Sequence, residues 1–342
     1  MGADLVTHLD RTQWWQTEPN AALFNELRDR VEQLQEMAHW LDEIIFQPEG
    51  VSRDIVTWLE INDNVSDASL LAAPLYVNEI LEKELLQSCR SAIFTGATLR
   101  TGSGFEFIRH RLGLWDANAA SVDSPFDFKA STLLYLPSDI LEPNHPYYQT
   151  AVEQAIIDAA EATGGATLAL FTSYAHLRTT ADAIRAPLDR LGITVLQHGT
   201  SSRHRLLREY RQTERAVLLG TRSFWEGVDL PGDELRCLLI VRLPFAVPSD
   251  PLVAARCAEF ENAFRDYTLP DAILRFRQGF GRLIRRATDR GVVVVLDSRT
   301  WRKQYGEAFL EALPSCTRRH APLANLGEEI RRWLPRVQAD AK

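Results

Sequence analysis

From about residue 131 onward, short apolar runs alternate with longer helical stretches, and this rhythm constrains the fold of the 342-residue chain most. Six runs predict strands: Thr132–Leu136, Thr167–Phe171, Ile193–Leu196, Ala216–Leu219, Cys237–Val241 and Val292–Leu296. Most are continuously apolar, as strands buried on both faces are. The predicted helices between them include Tyr147–Ala162, Tyr174–Leu191 and Pro251–Tyr267. The pattern predicts an α/β fold with a doubly wound parallel sheet flanked by helices.

Polar or loop-forming residues directly follow four of these predicted strands. The segments are Thr172-Ser173-Tyr174, Gln197-His198-Gly199, Gly220-Thr221-Arg222 and Leu243-Pro244-Phe245. Because the carboxyl ends of parallel strands share one edge, and open α/β sheets bind ligands there, we expect a single binding surface. Any one segment could be an ordinary loop. Ser173, for example, could serve only as the N-cap of the helix that begins near Tyr174.

The first hundred residues have a different pattern. Residues 21 to 46 predict one amphipathic helix with an apolar seam for packing on another helix: Leu27, Val31, Leu34, Ala38, Leu41 and Ile45. After it, Ile55–Ile61 predicts a short strand, Leu75–Leu86 a helix and Ala92–Phe94 a buried strand. We therefore expect a helical N-terminal segment ahead of the α/β part.

Residues 272 to 286 predict a further helix with a polar side and an apolar side. At about 100° per residue, three polar side chains fall within an arc of ~60°: Gln278, Arg282 and Arg285. The opposite side is apolar and would anchor the helix: Ile273, Phe276, Phe280, Leu283 and Ile284. Gly279 and Gly281 each cost about 1 kcal/mol against Ala in a helix, which indicates a close approach by backbone or ligand. The arrangement favours a nucleotide phosphate as ligand, with a solvated basic face as the alternative.

Charge and cysteine content limit the class of protein. The formal net charge of −8 argues against a generally basic nucleic-acid coat, but the distribution of charge still allows a local basic groove. Four scattered cysteines form no C-x-x-C pair, so we expect no metal or Fe–S site from them: Cys89, Cys237, Cys257 and Cys316. No apolar run approaches the ~20 residues of a membrane span, and the start lacks the features of a signal peptide. We expect a cytoplasmic protein without a membrane partner.

Two stretches are distinctive when taken together: Gly220-Thr-Arg-Ser-Phe-Trp-Glu-Gly-Val-Asp-Leu-Pro-Gly232 and Gln278-Gly-Phe-Gly-Arg-Leu-Ile-Arg-Arg286. They resemble motifs V and VI of the DinG/XPD-type superfamily 2 DNA helicases, closer to the bacterial DinG branch. Thr95-Gly-Ala-Thr-Leu99 is similar to motif III, and Phe171-Thr-Ser-Tyr174 to motif IV. The resemblance covers roughly residues 50 to 335.

The resemblance implies two RecA-like domains that hydrolyse ATP in the cleft between them and pull single-stranded DNA across their tops, with 5′-to-3′ polarity. Arg282 and Arg285 would meet the ATP γ-phosphate, where arginine donors stabilise the charge on the transferred phosphoryl group. Gln278 would contact the γ-phosphate or the attacking water. The nucleotide side of motif V would comprise Glu226, Gly227 and Asp229. For two of these residues simpler roles stay open, an ion pair for Glu226 and turn chemistry for Asp229.

The resemblance also implies roles in nucleic-acid binding and coupling. Four residues would touch DNA phosphates: Thr172, Ser173, Thr221 and Arg222. Three residues of motif III would couple the nucleotide state to the grip on the strand: Thr95, Ala97 and Thr98. Preference for DNA over RNA is left open, because tracking a backbone carries little base information.

The sequence lacks a G-x-x-x-x-G-K-[ST] motif and an acidic motif for magnesium. We therefore expect a fragment with residues 1–50 from a helical arch, 51–100 from the end of helicase domain 1, 101–335 as helicase domain 2 and 336–342 as a tail. An N-terminal half would complete the site for ATP with Mg²⁺ and would hold the family's Fe–S cluster. Alone, the chain should hydrolyse ATP poorly. The alternatives are a non-catalytic module that binds single-stranded DNA or a partner protein, and an unrelated α/β enzyme.

Overall fold

The computed structural model describes residues 7–8, 11, 18–46, 54–61, 68–102 and 104–334. The chain divides into two units after Tyr76. The first unit contains helix α1 (Glu18–Phe46) and an antiparallel pair of strands, β1 (Ile55–Ile61) and β2 (Ala68–Pro74). Helix α1 and strand β1 confirm the predictions for this region, whereas β2 was not predicted.

The apolar seam predicted for helix α1 is largely exposed. Leu34 is 62% exposed, and Leu41 and Ile45 are exposed as well, while Phe24 is buried. Among the described residues, therefore, no second helix covers this part of the seam. The expected domain boundaries stay a prediction, and residues 336–342 lie outside the described residues.

The second unit is built on a seven-stranded, wholly parallel sheet in the order β5-β6-β4-β7-β8-β3-β9. Its strands are β3 (Thr132–Pro137), β4 (Thr167–Leu170), β5 (Thr194–Gln197), β6 (Ala216–Gly220), β7 (Cys237–Ile240), β8 (Gly291–Val295) and β9 (Thr317–Ala321). The structure confirms six predicted strands and the α/β fold. The seventh, β9, lies at the edge of the sheet, and its polar sequence gave no strand signal.

The helices of this unit are α2 (Val77–Glu84), α3 (Glu106–Leu112), α4 (Phe128–Ser131), α5 (Tyr148–Thr163), α6 (Tyr174–Asp189), α7 (Arg203–Gln212), α8 (Arg222–Trp225), α9 (Pro251–Ala258), α10 (Leu269–Phe280), α11 (Arg299–Arg302), α12 (Gly306–Glu311) and α13 (Leu326–Trp333). Helices α2, α5 and α6 lie where helices were predicted. The prediction of one helix over Pro251–Tyr267 is wrong, because α9 ends at Ala258 and a π-helical turn over Phe264–Thr268 leads into α10.

Two apolar layers enclose the sheet. Successive residues of β3 point to opposite faces, so Leu133 and Tyr135 join the layer under α5 and α6, while Leu134 and Leu136 join the layer under α7 and α10. The continuous apolar runs of the sequence follow from this two-sided burial. By contrast, the predicted buried strand Ala92–Phe94 is wrong. Among the described strands none pairs with this segment, and Ile93 is 91% exposed.

The helix predicted over residues 272–286 is correct only in its first part, because α10 ends at Phe280. The next turn is tighter, with the N–H of Arg282 donating to the carbonyl oxygen of Gly279 at 3.1 Å. Farther on, the buried Asp289 accepts the N–H groups of Arg285 and Arg286 at Oδ2, each at 2.8 Å. A carboxylate that offers backbone donors an acceptor outside the helix favours a turn over continued helix. The five apolar side chains predicted as the anchor are nevertheless all buried: Ile273, Phe276, Phe280, Leu283 and Ile284.

We expect Gly279→Ala to destabilise the protein by about 1–3 kcal/mol, because overpacking costs this much in a dense core. A Cβ at position 279 would lie 2.7 Å from Cε3 of the buried Trp225 ring. Gly281→Ala is the matched control, since its Cβ would meet nothing closer than the carbonyl oxygen of Arg277 at 3.4 Å. Urea unfolding should separate the two variants, and equal losses of stability would contradict the close approach at Gly279.

We expect acid to destabilise this unit partly through His176. Its ring packs edge-on against Phe171 at 5.4 Å, and burial together with the nearby Arg242 lowers its pKa to about 4. In the unfolded chain the pKa of histidine is about 6.5. As the pH falls from 6.5 toward 4, the unfolded state therefore binds a proton that the folded state does not, and the free energy of unfolding decreases. Between pH 7 and pH 4.5, the free energy of unfolding of His176→Gln should decrease less than that of the parent chain. An equal decrease would contradict this role of His176.

Candidate functional site

Three of the four predicted loops meet at the carboxyl edge of the sheet. His198 follows β5, and its Nδ1 lies 2.7 Å from Oγ1 of Thr221, the residue after β6. The hydroxyl of Tyr174, at the start of α6, lies 3.0 Å from the same nitrogen. Burial and the nearby Arg203 lower the pKa of His198, which favours the neutral ring. The predicted common edge therefore exists and is held together by side-chain hydrogen bonds.

The residues predicted to touch DNA phosphates differ in exposure. Thr172, Ser173 and Arg222 are exposed, whereas Thr221 is 3% exposed and its hydroxyl is engaged with His198. Ser173 is also the N-cap of α6, because its hydroxyl accepts the N–H of His176 at 3.4 Å. Thr172, Ser173 and Arg222 are therefore accessible to a ligand, whereas the hydroxyl of Thr221 is not.

The fourth loop lines a pocket at this edge. The pocket has a volume of about 100 Å³, and its lining includes Phe171, Thr172, Arg222, Glu226, Phe245 and Arg275. Trp225 lies at the same pocket but is buried, and its indole N–H donates to the carbonyl oxygen of Phe171 at 3.2 Å. Trp225 is therefore a packing residue and not an exposed platform for a base.

Residues 225–229, which we call the motif V turn, receive both predicted arginine residues. Nε of Arg282 donates to the carbonyl oxygen of Trp225 at 3.1 Å, and its Nη1 donates to that of Val228 at 3.2 Å. Nη2 of Arg285 donates to the same Val228 oxygen at 2.8 Å. The two guanidinium groups thus converge although the helix predicted to align them ends earlier.

Two arginine residues that the sequence did not single out also hold the motif V turn, and both come from α7. Nη2 of Arg203 donates to the carbonyl oxygen of Gly227. Nη2 of Arg211 donates to that of Asp229 at 2.5 Å, while its Nε donates to Glu234 at 3.1 Å. Four of the five carbonyl groups in the turn therefore accept a hydrogen bond from a guanidinium group.

The motif V turn lies in a positive environment. Burial lowers the pKa of Arg282, and the like charges of Arg285 and Arg203 lower it further, while Glu226 and Asp229 oppose the shift. Asp229 lies 3.6 Å from Nε of Arg285, but its side chain is 72% exposed, so water screens this pair. Chemically, the cluster is suited to an anion with several acceptor oxygens.

Gln278 lies on α10 and is half-buried. Its Oε1 is buried and has no hydrogen-bond partner in the part of the chain that the structure describes. An amide oxygen accepts hydrogen bonds, so this atom suits a donor such as water better than a phosphate oxygen. The described residues show no hydrogen bond between Gln278 and either predicted arginine.

The motif III segment contacts α10 through its backbone. Nη2 of Arg277 donates to the carbonyl oxygen of Ala97 at 3.1 Å, and its Nη1 donates to that of Arg100. Of the residues predicted to couple nucleotide and strand, Thr95 is exposed and Thr98 is half-buried. Of the three predicted coupling residues, Ala97 is thus hydrogen-bonded through its backbone to the helix that carries Gln278.

Sequence reasoning missed four residues that shape this site: Arg203, Arg211, Arg277 and Asp289. Asp289 had a signal, since Asp followed by Arg-Gly suits a turn. The arginine residues had none, because their partners are carbonyl oxygens distant in sequence.

The described residues contain neither a candidate metal cluster nor a helix suited to a membrane. Within the described ranges, no three or more His, Cys, Asp or Glu residues are grouped so that they could hold a metal ion. No helix in the part of the chain that the structure covers is long and apolar enough to cross a membrane.

Known proteins resemble this chain in sequence and in fold. The chain is 34% identical over 306 residues to 3′-5′ exonuclease DinG of Bacillus subtilis (strain 168), covering 86% of this chain and 32% of that protein. It is 36% identical over 254 residues to ATP-dependent DNA helicase YoaA of Escherichia coli (strain K12), covering 73% of this chain and 40% of YoaA. The chain thus spans about a third to two fifths of the length of these relatives.

The solved structure of apo XPD shares the RecA-like α/β fold, with a TM-score of 0.56 at 16% identity, over 89% of this chain and 62% of XPD. Residues 156–316, which include the motif V turn and α10, match the helicase C-terminal domain. With the motifs in place on this fold, residues 156–316 belong to the helicase C-terminal domain family, and the chain has DinG and YoaA among its relatives.

Proposed function

We propose that this chain is the C-terminal half of an ATP-dependent DNA helicase that translocates 5′ to 3′ on single-stranded DNA. It would supply motifs III to VI to a motor whose N-terminal half, on the same polypeptide or on a separate chain, carries the P-loop. The convergence of Arg282 and Arg285 on the motif V turn carries this proposal. Within it, residues 1–50 belong to a helical arch, 51–100 to helicase domain 1 and 101–335 to helicase domain 2.

The donor set of the site fits the phosphates of ATP. When bound, ATP supplies a phosphoryl group whose oxygens carry dispersed charge during transfer, and guanidinium groups stabilise that charge. In the proposal Arg282 and Arg285 meet the γ-phosphate, and Gln278 orients the attacking water through its unpaired Oε1. Glu226, Gly227 and Asp229 line the nucleotide side of the same turn.

The residues that the structure describes fit the phosphates but not a resident metal. Among these residues no cluster of three or more His, Cys, Asp or Glu is available. The four described cysteines are free. The proposal assigns both the Mg²⁺ that accompanies ATP and the family's Fe–S cluster to the N-terminal half, as the resemblance to DinG/XPD-type helicases implies.

The carboxyl edge of the sheet supplies the proposed DNA contacts. Thr172 and Ser173 offer hydroxyl donors, and Arg222 offers an exposed guanidinium group. In the proposal Thr221 acts through its backbone and through His198, because its own hydroxyl is buried in that hydrogen bond. Thr95, Ala97 and Thr98 would couple the state of the bound nucleotide to the binding of the DNA strand at this edge.

A second candidate is a non-catalytic module that binds single-stranded DNA or a partner protein. One observation favours it: the exposed edge at Thr172, Ser173 and Arg222 is complete within this chain, whereas the sequence contains no P-loop motif. The two candidates differ in whether adding a P-loop half restores ATP hydrolysis.

The first test measures DNA-stimulated ATP hydrolysis by this chain alone and mixed with a purified P-loop half from the same parent protein. We expect no useful hydrolysis alone and strong hydrolysis in the mixture. No activity in the mixture would favour the non-catalytic module. ATP hydrolysis by the chain alone would contradict the proposal that the P-loop part of the phosphate site lies on another segment.

In the active mixture, Arg285→Ala should lower ATP hydrolysis by at least about 10²-fold, because an arginine donor to the transferred phosphoryl group is worth about 10³–10⁵ in related chemistry. Arg286→Ala is the matched control, since this neighbouring side chain is exposed. Steady-state kinetics with and without DNA provide the measurement. Equal rates for the two variants would remove Arg285 from the phosphate site.

We expect Arg222→Ala to weaken binding of a dT oligonucleotide and to reduce the slope of log K against log salt by about 0.7, the contribution of one phosphate contact on a single strand. Arg190→Ala is the control, because Arg190 is exposed at the C-terminal end of α6, away from the carboxyl edge. Fluorescence anisotropy over a salt series measures both quantities. An unchanged salt slope in Arg222→Ala would contradict a phosphate contact there.

A further inference from the structure

Arg203, on α7, holds the motif V turn and influences residues on either side of it. Its Nη2 donates to the carbonyl oxygen of Gly227, and its charge acts on Arg282 on one side and on His198 on the other. We propose that Arg203 is a third phosphate-binding arginine, which fixes the motif V turn and donates to the oligophosphate of the nucleotide. This inference rests on the proposed function and adds a residue to its anion site.

The contact with Gly227 is built into the backbone. Gly227 has a φ of +65°, a conformation that side chains with a Cβ rarely adopt. A Cβ at this position would also lie 2.4 Å from Nη2 of Arg203 and 3.3 Å from its Cζ. The absence of a side chain at 227 therefore makes room for the guanidinium group directly over the turn.

Within the described residues, two buried donors at the turn make no hydrogen bond, although Oδ1 of Asp229 lies 3.6 Å from one of them, Nε of Arg285. Nε of Arg203 and Nε of Arg285 are both buried without a hydrogen-bond partner within the described part of the chain. A buried N–H group left unpaired costs free energy comparable to a lost hydrogen bond, more for a charged group. Two such donors, carried by side chains that grip the same short turn, favour a ligand rich in acceptor oxygens.

The charges around the turn point to the same class of ligand. Besides Arg211, whose charge is paired with Glu234, three guanidinium groups converge there, on Arg203, Arg282 and Arg285. The two carboxylates on the turn itself, Glu226 and Asp229, are exposed. A ligand with several negative charges would relieve the repulsion among the three cations and accept from their free N–H groups. An oligophosphate has both properties, whereas one backbone phosphate of a DNA strand carries a single charge.

Arg211 provides a matched control for Arg203. It also comes from α7 and also donates to a carbonyl oxygen of the turn, that of Asp229. It differs because Glu234 already pairs with its Nε at 3.1 Å and its side chain is about half exposed. Loss of Arg211 therefore removes one turn contact without removing an unpaired buried donor.

The experiment titrates inorganic tripolyphosphate into the 342-residue chain by isothermal calorimetry and compares Arg203→Gln, Arg203→Lys, Arg211→Ala and Arg285→Ala with the parent. We expect Kd to rise about 10-fold in Arg203→Gln, since a charged hydrogen bond is lost, and by less in Arg203→Lys, which keeps the charge. The Kd of Arg211→Ala should stay within about 2-fold of the parent value, which is a smaller change than the loss of a charged hydrogen bond to the ligand would cause. Circular dichroism reports whether each variant is folded. Gly227→Ala should raise the Kd as well, because the added Cβ displaces the guanidinium group of Arg203.

The outcomes separate this inference from the proposed function. If Arg285→Ala weakens tripolyphosphate binding but Arg203→Gln and Gly227→Ala do not, the role of Arg203 is wrong and the proposed anion site stands. If Arg203→Gln instead weakens binding of a dT oligonucleotide and spares tripolyphosphate, Arg203 serves the strand and the inference is overturned. If the parent chain does not bind tripolyphosphate, or Arg285→Ala binds it normally, both the inference and the anion site fail.

Discussion

Burial of a parallel sheet on both faces is the constraint on which the rest of this structure depends. The seven strands of the second unit are enclosed by two apolar layers, so polar side chains are largely excluded from the faces. Polar side chains therefore concentrate where the strands end. The hydrogen bonds that join Tyr174, His198 and Thr221 are a direct consequence, because three separate strands deliver these residues to one edge.

The motif V turn differs from the sheet because it is a short irregular segment, so its carbonyl groups have no neighbouring strand as a hydrogen-bond partner. Guanidinium groups take that place, since four carbonyl oxygens between Trp225 and Asp229 accept hydrogen bonds from arginine side chains. A guanidinium group has five donors, so one that holds the backbone still keeps N–H groups for a ligand. In the proposed function Arg282 and Arg285 are therefore both structural and ligand-binding, and the turn and these two arginine residues hold each other in position.

The end of α10 illustrates a conflict between local preference and tertiary contacts. Apolar spacing alone predicts a helix to residue 286, and all five predicted anchor residues are buried. Yet the helix stops at Phe280, since the buried Asp289 carboxylate accepts the N–H groups of Arg285 and Arg286. The guanidinium groups still converge, because the turn brings Arg285 to the same Val228 oxygen that Arg282 reaches. The close approach predicted for Gly279 also holds, and the neighbour is the ring of Trp225.

The amino-acid sequence by itself determined the strand and helix rhythm, six of the seven strands of the sheet, the edge at which the polar loops meet and the helicase C-terminal domain of residues 156–316. These features follow from local periodicity and from short contiguous motifs. It did not determine the exposed course of Ala92–Phe94, the polar edge strand β9 or the early end of α10. Nor did it single out Arg203, Arg211 or Arg277, whose partners are backbone oxygens remote in sequence. Only the tertiary structure decided these features, because a hydrogen bond to a distant carbonyl group leaves no periodicity in the sequence that makes it.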